Sequence, residues 1–210
     1  PRPPLSPGQQ YVQPGAGTLQ AAHDAASDGE ELLLLDGIHT GSGDSVLEIG
    51  KSITIRAANA GQAVLDGEGE RLVIKIIDTG STIVLEGLNV TKGGTPIDEY
   101  VYLDKRGGIV IDGGDVTLQG ANIYSNNGVG LTIRGGTVAA DGCTISSNRA
   151  ETVYASGGGI FIAAGRMAVV NTKIDSNFAG IFASASYNTY ELPYSYGDGT
   201  LEGCCYGGGI

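Results

Sequence analysis

The sequence predicts an all-β chain wound as a parallel β-helix of about six coils, with a short capping helix at its N-terminal end. Two observations carry this. Ser-Asn recurs in "YSNN" (124–127), "SSNR" (146–149) and "DSNF" (175–178), each time two residues after an isoleucine. Short segments with period-two alternation also repeat along the chain, with no segment of helical periodicity between them, which fits a solenoid and not an α/β sandwich.

The repeat is read backwards from Ile123, Ile145 and Ile174. Seven residues earlier stand Val116, Val138 and Met167; five earlier, Leu118, Ala140 and Val169; three earlier, Gly120, Gly142 and Asn171, types that accept a sharp bend. The same template placed upstream selects Ile83, Leu85, Gly87 and Val90, then Ile53, Ile55, Ala57 and Ala60, then Leu33, Leu35, Gly37 and Thr40; downstream, Leu201, Gly203 and Tyr206 fit less well. A further strand follows in each coil: "VLEI" 46–49, "LVIKI" 72–76, "GIVID" 108–112, "GLTIR" 130–134, "GIFIA" 159–163 and "GIFAS" 180–184. The 36 glycines suit the bends, and an interior with no tryptophan and only three phenylalanines suits a narrow core of Ile, Leu, Val and Ala.

Ahead of the coils, residues 1–17 read as an extended proline-rich arm. Residues 18–29, "TLQAAHDAASDG", read as a capping helix with Thr18 at its start and a closing glycine; Leu19, Ala22 and Ala26 face one side. Residues 30–210 form the β-helix, which shows no cap at its C-terminal end, so a partner or further coils are expected there. The Ser-Asn repeat has a structural explanation. Equivalent residues of adjacent rungs lie about 4.8 Å apart, so Asn126, Asn148 and Asn177 form a ladder of stacked amides, and asparagine tolerates the left-handed backbone of a tight turn.

The run "SITIRAANAGQAVLDGEG" (52–69), with "GCTISSNRA" and "GGGIFI" further on, resembles the pectin-lyase-like superfamily of right-handed β-helices, the later segments most of all the repeats of polymorphic outer-membrane and adhesin-type proteins. The resemblance spans roughly residues 17–183 and implies a right-handed winding, as does the crossover rule for parallel strands. It implies little about activity, because lyases, hydrolases, epimerases, adhesins and inert spacers share the scaffold.

No catalytic, cofactor-binding or metal-binding set is expected. The outward column before the bend reads Asp36, Arg56, Glu86, Gln119, Asp141, Val170, Glu202, with no carboxylates on adjacent rungs to hold calcium; Asp36–Arg56–Glu86 reads as a surface charge ladder. Asp66 and Asp112 read as turn aspartates, and His23 and His39 lack partners at ligand spacing. A second outward column, Leu34, Thr54, Val84, Thr117, Ala139, Ala168, Thr200, is flat and weakly polar, the character of a docking face. Phe161 and Phe182, with Tyr187, Tyr190, Tyr194 and Tyr196, form a candidate docking surface.

A net charge of −11 argues against nucleic acid and anionic membranes, and no apolar run is long enough to span a bilayer. Cys143 is expected to be a buried free thiol; Cys204 shares its column two rungs on, about 9.6 Å away and too far for a disulfide, and Cys205 faces outward. "NVT" (89–91) is a glycosylation sequon. The reading is of a mature, extracytoplasmic, non-catalytic module, such as a surface protein or an extrinsic subunit of an organelle-lumen or photosynthetic assembly. Its protein partner sits at the C-terminal end or on the flat faces. A carbohydrate-active enzyme with its catalytic coils elsewhere is the alternative.

Overall fold

The computed structural model describes residues 4–77, 80–94, 107–151, 157–180 and 199–202. The chain advances coil by coil. The first coil holds β1 (Gln9–Val12), β2 (Gly15–Ala16) and α1 (Thr18–Ala25); the second β3 (Glu31–Leu34), β4 (Gly37–Thr40) and β5 (Ser45–Ile49); the third β6 (Ile53–Ala57), β7 (Ala63–Asp66) and β8 (Leu72–Ile76). The fourth holds β9 (Thr82–Glu86), β10 (Asn89–Thr91) and β11 (Gly107–Ile111), and the fifth β12 (Asp115–Gln119), β13 (Asn122–Tyr124) and β14 (Val129–Ile133). The sixth holds β15 (Thr137–Asp141), β16 (Thr144–Ser146), β17 (Arg149–Glu151) and β18 (Ile160–Ile162); the seventh β19 (Arg166–Val170), β20 (Lys173–Asp175) and β21 (Phe178–Gly180). A last strand, β22 (Gly199–Glu202), lies antiparallel on β19.

Equivalent strands stack into three parallel sheets, ordered β1-β3-β6-β9-β12-β15-β19-β22, β2-β4-β7-β10-β13-β16-β20 and β5-β8-β11-β14-β18, with β17 and β21 paired separately. The bends between first and second strands lie in the left-handed region, at Gly87 (φ 65°), Gly120 (57°), Gly142 (62°) and Asn171 (49°). Inside, Val116 pairs with Val138 and Leu118 with Ala140, while Ile123, Ile145 and Ile174 stack in one line. Ile109, Leu131 and Ile160 form another, as do Ile111, Ile133 and Ile162.

The arm expected over 1–17 is part of the solenoid from Gln9 onward: β1 pairs in parallel with β3 and β2 with β4, adding a rung to the expected six. The helix then occupies the third side of that first coil, packed on β4 and β5, with Leu19 and His23 buried and Ala22 half-buried. Its N-cap is Gly17, in the left-handed region at φ 68°, and not Thr18, whose hydroxyl donates backward to the carbonyls of Gln13 and Gly15. The helix gives way at Ala26, ahead of the expected closing Gly29.

Coils two and three depart from the expected register. Leu32, not Leu35, stacks on Ile55, and Leu34 on Ala57; His39 and Leu65, not Thr40 and Ala60, continue the line of Val90 and Ile123. The template assumed a bend of five residues between inward positions, as from Leu118 to Ile123. The second coil takes seven, from Leu32 to His39, and residues 58–62 form a longer excursion between β6 and β7 in the third. Because strand faces alternate, an odd shift exchanges inside for outside: Leu32 and Leu34 are fully buried, and Leu35 is half-exposed at the turn.

The asparagines sit at the corner after the second strand. Asn126 Nδ2 donates to Asn148 Oδ1 at 2.8 Å, and Asn148 Nδ2 to Asn177 Oδ1 at 2.9 Å; each amide also donates to a carbonyl of the preceding coil, at Val90, Ile123 and Ile145. The backbone N–H of Gly93 closes the ladder on Asn126 Oδ1 at 2.8 Å. The left-handed residue is not the asparagine but the serine before it, at Ser125 (φ 52°), Ser147 (55°) and Ser176 (54°), with Lys92 (50°) in their place one coil earlier. The turn of each Ser-Asn pair thus falls on serine, and the asparagine is driven inward.

A glycine line makes room for these amides. Register aligns Val46, Val73, Gly108, Gly130 and Gly159. A Cβ on Gly130 would lie 2.6 Å from Asn148 Nδ2, and one on Gly159 would lie 2.7 Å from Asn177 Nδ2. Where the line holds valine instead, the corner of the next coil holds Gly67 or Gly93; Val46 and Val73 are fully buried.

Asn148→Ala removes both amide rungs and takes the acceptor from one side-chain amide hydrogen and from the backbone N–H of Asn126, at about 1–3 kcal/mol for each unsatisfied buried group. The expected loss in urea unfolding is about 3 kcal/mol or more. Asn177→Ala, half-buried and open to water replacement, costs less. Gly130→Ala is expected to cost about 1–3 kcal/mol by overpacking.

Candidate functional site

The outward face of the longest sheet carries the side chains able to meet a ligand. One column reads Tyr11, Leu33, Arg56, Glu86, Gln119, Asp141, Val170. The register change puts Leu33 where the sequence placed Asp36, so the ladder Asp36–Arg56–Glu86 does not form. Arg56 pairs with Glu31, Nε to Oε1 at 2.8 Å, and Glu31 Oε2 accepts from Gln9 Nε2 at 2.5 Å. Asp36 instead accepts from Asn59 Nδ2 at 3.0 Å. Tyr11, Leu33 and Arg56 floor a shallow groove of about 790 Å³, walled by Pro14, Asp36 and Asn59. The excursion 58–62 that upset the register of the third coil supplies one of these walls.

The second column, Gln9, Glu31, Thr54, Val84, Thr117, Ala139, Ala168, is small and uncharged from Thr54 on; Glu31, not Leu34, stands beside Thr54. Ala139 and Ala168 are exposed, and Val170 beside them is 43% exposed. Thr200 lies opposite Ala168, but on the antiparallel β22, so the parallel register used to place Cys204 two rungs beyond Cys143 does not hold for that strand.

Asp66 is buried in the Asx-type turn expected of it, accepting from the Glu68 backbone N–H at 2.8 Å and from Lys92 Nζ at 2.6 Å. Hydrogen bonding to Asp66 holds the Lys92 ammonium above its ordinary pKa. Asp112 accepts from Arg134 Nε at 2.5 Å. Among the described residues no group of three or more His, Cys, Asp or Glu is arranged around a metal-sized site.

Phe161 stands in line with Val110 and Thr132 on the third sheet and is half-buried, whereas Val110 and Thr132 are buried; β17 packs against β14 there. The Arg149 guanidinium lies 4.7 Å from the Phe178 ring centre, a cation–π contact across β17 and β21 that the sequence did not suggest. Phe182, Tyr187, Tyr190, Tyr194 and Tyr196, with Cys204 and Cys205, lie outside the described residues.

A model of the right handed beta helix region matches residues 73–205, more than half of the chain. The chain belongs to the right-handed β-helix family. No curated protein matches it. Among solved structures it is similar to a mutant of AlyGC, a PL6-family alginate lyase, at 19% identity and a TM-score of 0.50, over 82% of this chain and 26% of that one. The unmutated AlyGC gives 20% identity and a TM-score of 0.38, over 69% of this chain and 19% of that one. The chain spans about a quarter of the lyase's length, and at this identity the likeness is one of fold.

Cys143 is 2% exposed and free, with Thr172 donated to from its backbone N–H and its own thiol directed to the Leu118 carbonyl at 3.4 Å. Burial pushes the thiol pKa up. In a Cys204→Ser, Cys205→Ser background the native protein is expected to resist iodoacetamide even in mild alkali, and to react at Cys143 only once unfolded. Rapid native labelling would show that the interior is open there.

Proposed function

We propose that this chain is a non-catalytic interaction module, which lays its flat sheet face against a partner protein in a larger extracytoplasmic assembly. The observation that carries the reading is the column Thr54, Val84, Thr117, Ala139, Ala168, on which stacked coils present short, uncharged side chains over several consecutive rungs. A rigid extended face of this kind is what solenoids use to bind proteins, and it lets a partner approach the backbone closely. Cleavage of an acidic polysaccharide needs unpaired positive charge beside the uronate. The groove's own cation, Arg56, is already matched by Glu31, and the chain carries eleven net negative charges.

The test uses the full chain in its native extract. Wild type is expected to elute far above its own 21.4 kDa. Ala139→Arg, Ala168→Arg is expected to elute as the free chain with an unchanged circular dichroism spectrum, because both positions point away from the core. Wild type eluting alone, or the double variant remaining in the large fraction, rejects the docking face. Release of unsaturated uronates from alginate or pectate by the purified chain would replace the proposal with a lyase.

A further inference from the structure

The interior line of the second sheet reads Gly15, His39, Leu65, Val90, Ile123, Ile145, Ile174. Six of these are glycine or aliphatic, and one is a fully buried histidine. Leucine fits the next rung of the same line, so the scaffold has no need of an imidazole here. Its Nε2 lies 3.0 Å from the Leu35 carbonyl oxygen and carries the proton; Nδ1 is buried with no partner. The ring is accommodated as a neutral group only. A second proton would create a buried cation whose new N–H has no acceptor, and both effects oppose burial.

The surroundings offer no compensation. The first coil brings Gly15 and Ala16 of β2 and, from α1, Leu19 and His23; β7 brings Leu65. Of the nearby carboxylates, Asp36 is exposed and bonded to Asn59, and Asp66 points to Lys92. His23 Nε2 is likewise buried without a partner, but Asp24 lies 3.2 Å from His23 Nδ1, so a charged His23 has a counterion at hand and His39 does not. The positive charges near this end are committed elsewhere: Lys51 donates to the helix carbonyls of His23 and Ala26, and Arg71 to the Gly41 carbonyl. On that side the ring is covered by β2 and α1 of the first coil.

We propose that His39 is an acid-operated release for the N-terminal end, so that its protonation drives β2 and α1 off β4 and β5 while the coils beyond remain stacked. Burial holds the His39 pKa below its ordinary value. The detached state therefore binds the proton first, and the stability of this end is full above the ordinary histidine range and falls as the pH drops through it. Release exposes the edges of β4 and β5, a surface for strand pairing that exists only in acid.

Hydrogen exchange read by mass spectrometry, corrected for intrinsic rates, tests this on the full chain at about pH 7.5 and about pH 5. Protection in peptides spanning 15–49 is expected to fall at least roughly tenfold in acid, with that of 116–146 unchanged. In His39→Leu the acid response disappears, and in His23→Gln it persists. Equal protection of 15–49 at both pH values overturns the proposal, as does an acid response that survives His39→Leu. Proton NMR of the wild-type imidazoles gives a reading that needs no variant: two rings that both titrate freely while 15–49 stays protected would also overturn it.

Discussion

Everything in this molecule depends on rungs lying one strand spacing apart, about 4.8 Å, with their residues in line. At that spacing a side chain's nearest neighbours are its counterparts in the coils before and after, so each column has to be compatible with itself. Aliphatic columns meet the requirement by packing. Asparagine meets it by being donor and acceptor at once, so that Asn126, Asn148 and Asn177 bond in series and spend their second amide hydrogens on the carbonyls of the coils before. A serine hydroxyl has one hydrogen, enough for the series or for the carbonyl but not for both, and an ionised aspartate has none.

Much of this was legible from coil four onward. There the bend has constant length, and the lines through Ile123 and through Ile109 follow directly from counting. The count failed in the second and third coils, where the turns at 35–36 and 58–62 carry more residues between the inward positions than the template's bend. A turn of arbitrary length leaves no mark in a strand template, and the failure in the second coil hid the most unusual core residue, His39. The Ser-Asn pair was attributed to the wrong partner for a related reason. Both residues tolerate a left-handed backbone, and only the fold shows that serine takes the turn, leaving asparagine for the interior. The glycines at 108, 130 and 159 read only as the first residues of strands, since nothing in one dimension shows that an amide from the next coil occupies the space. The outward sites were least legible. The Arg56–Glu31 pair and the Tyr11 groove depend on which residue stands over which, and in the first coils that is where the register changed.

The division of chemistry between inside and outside bears on function. The specific polar interactions are concentrated in the interior corner, where they fix register. On the exposed side of the longest sheet a line of threonine, valine and alanine runs beside a column that holds Glu86 and Asp141, and the cation Arg56 is matched by Glu31. A line of that kind discriminates by shape more than by charge.

The valine–glycine–asparagine corner also limits how such a chain can have grown. Each coil's third strand sets what the next coil's corner can hold: Val46 and Val73 are followed by Gly67 and Gly93, and Gly108, Gly130 and Gly159 are met by the asparagines. The unit of inheritance is therefore not one coil but the junction between two. Copying a single asparagine coil to sit after a valine coil would bring two occupants into one space, so duplication and recombination are tolerated only at matching junctions. The fourth coil, with glycine at both Gly93 and Gly108, is the junction at which one kind of corner gives way to the other.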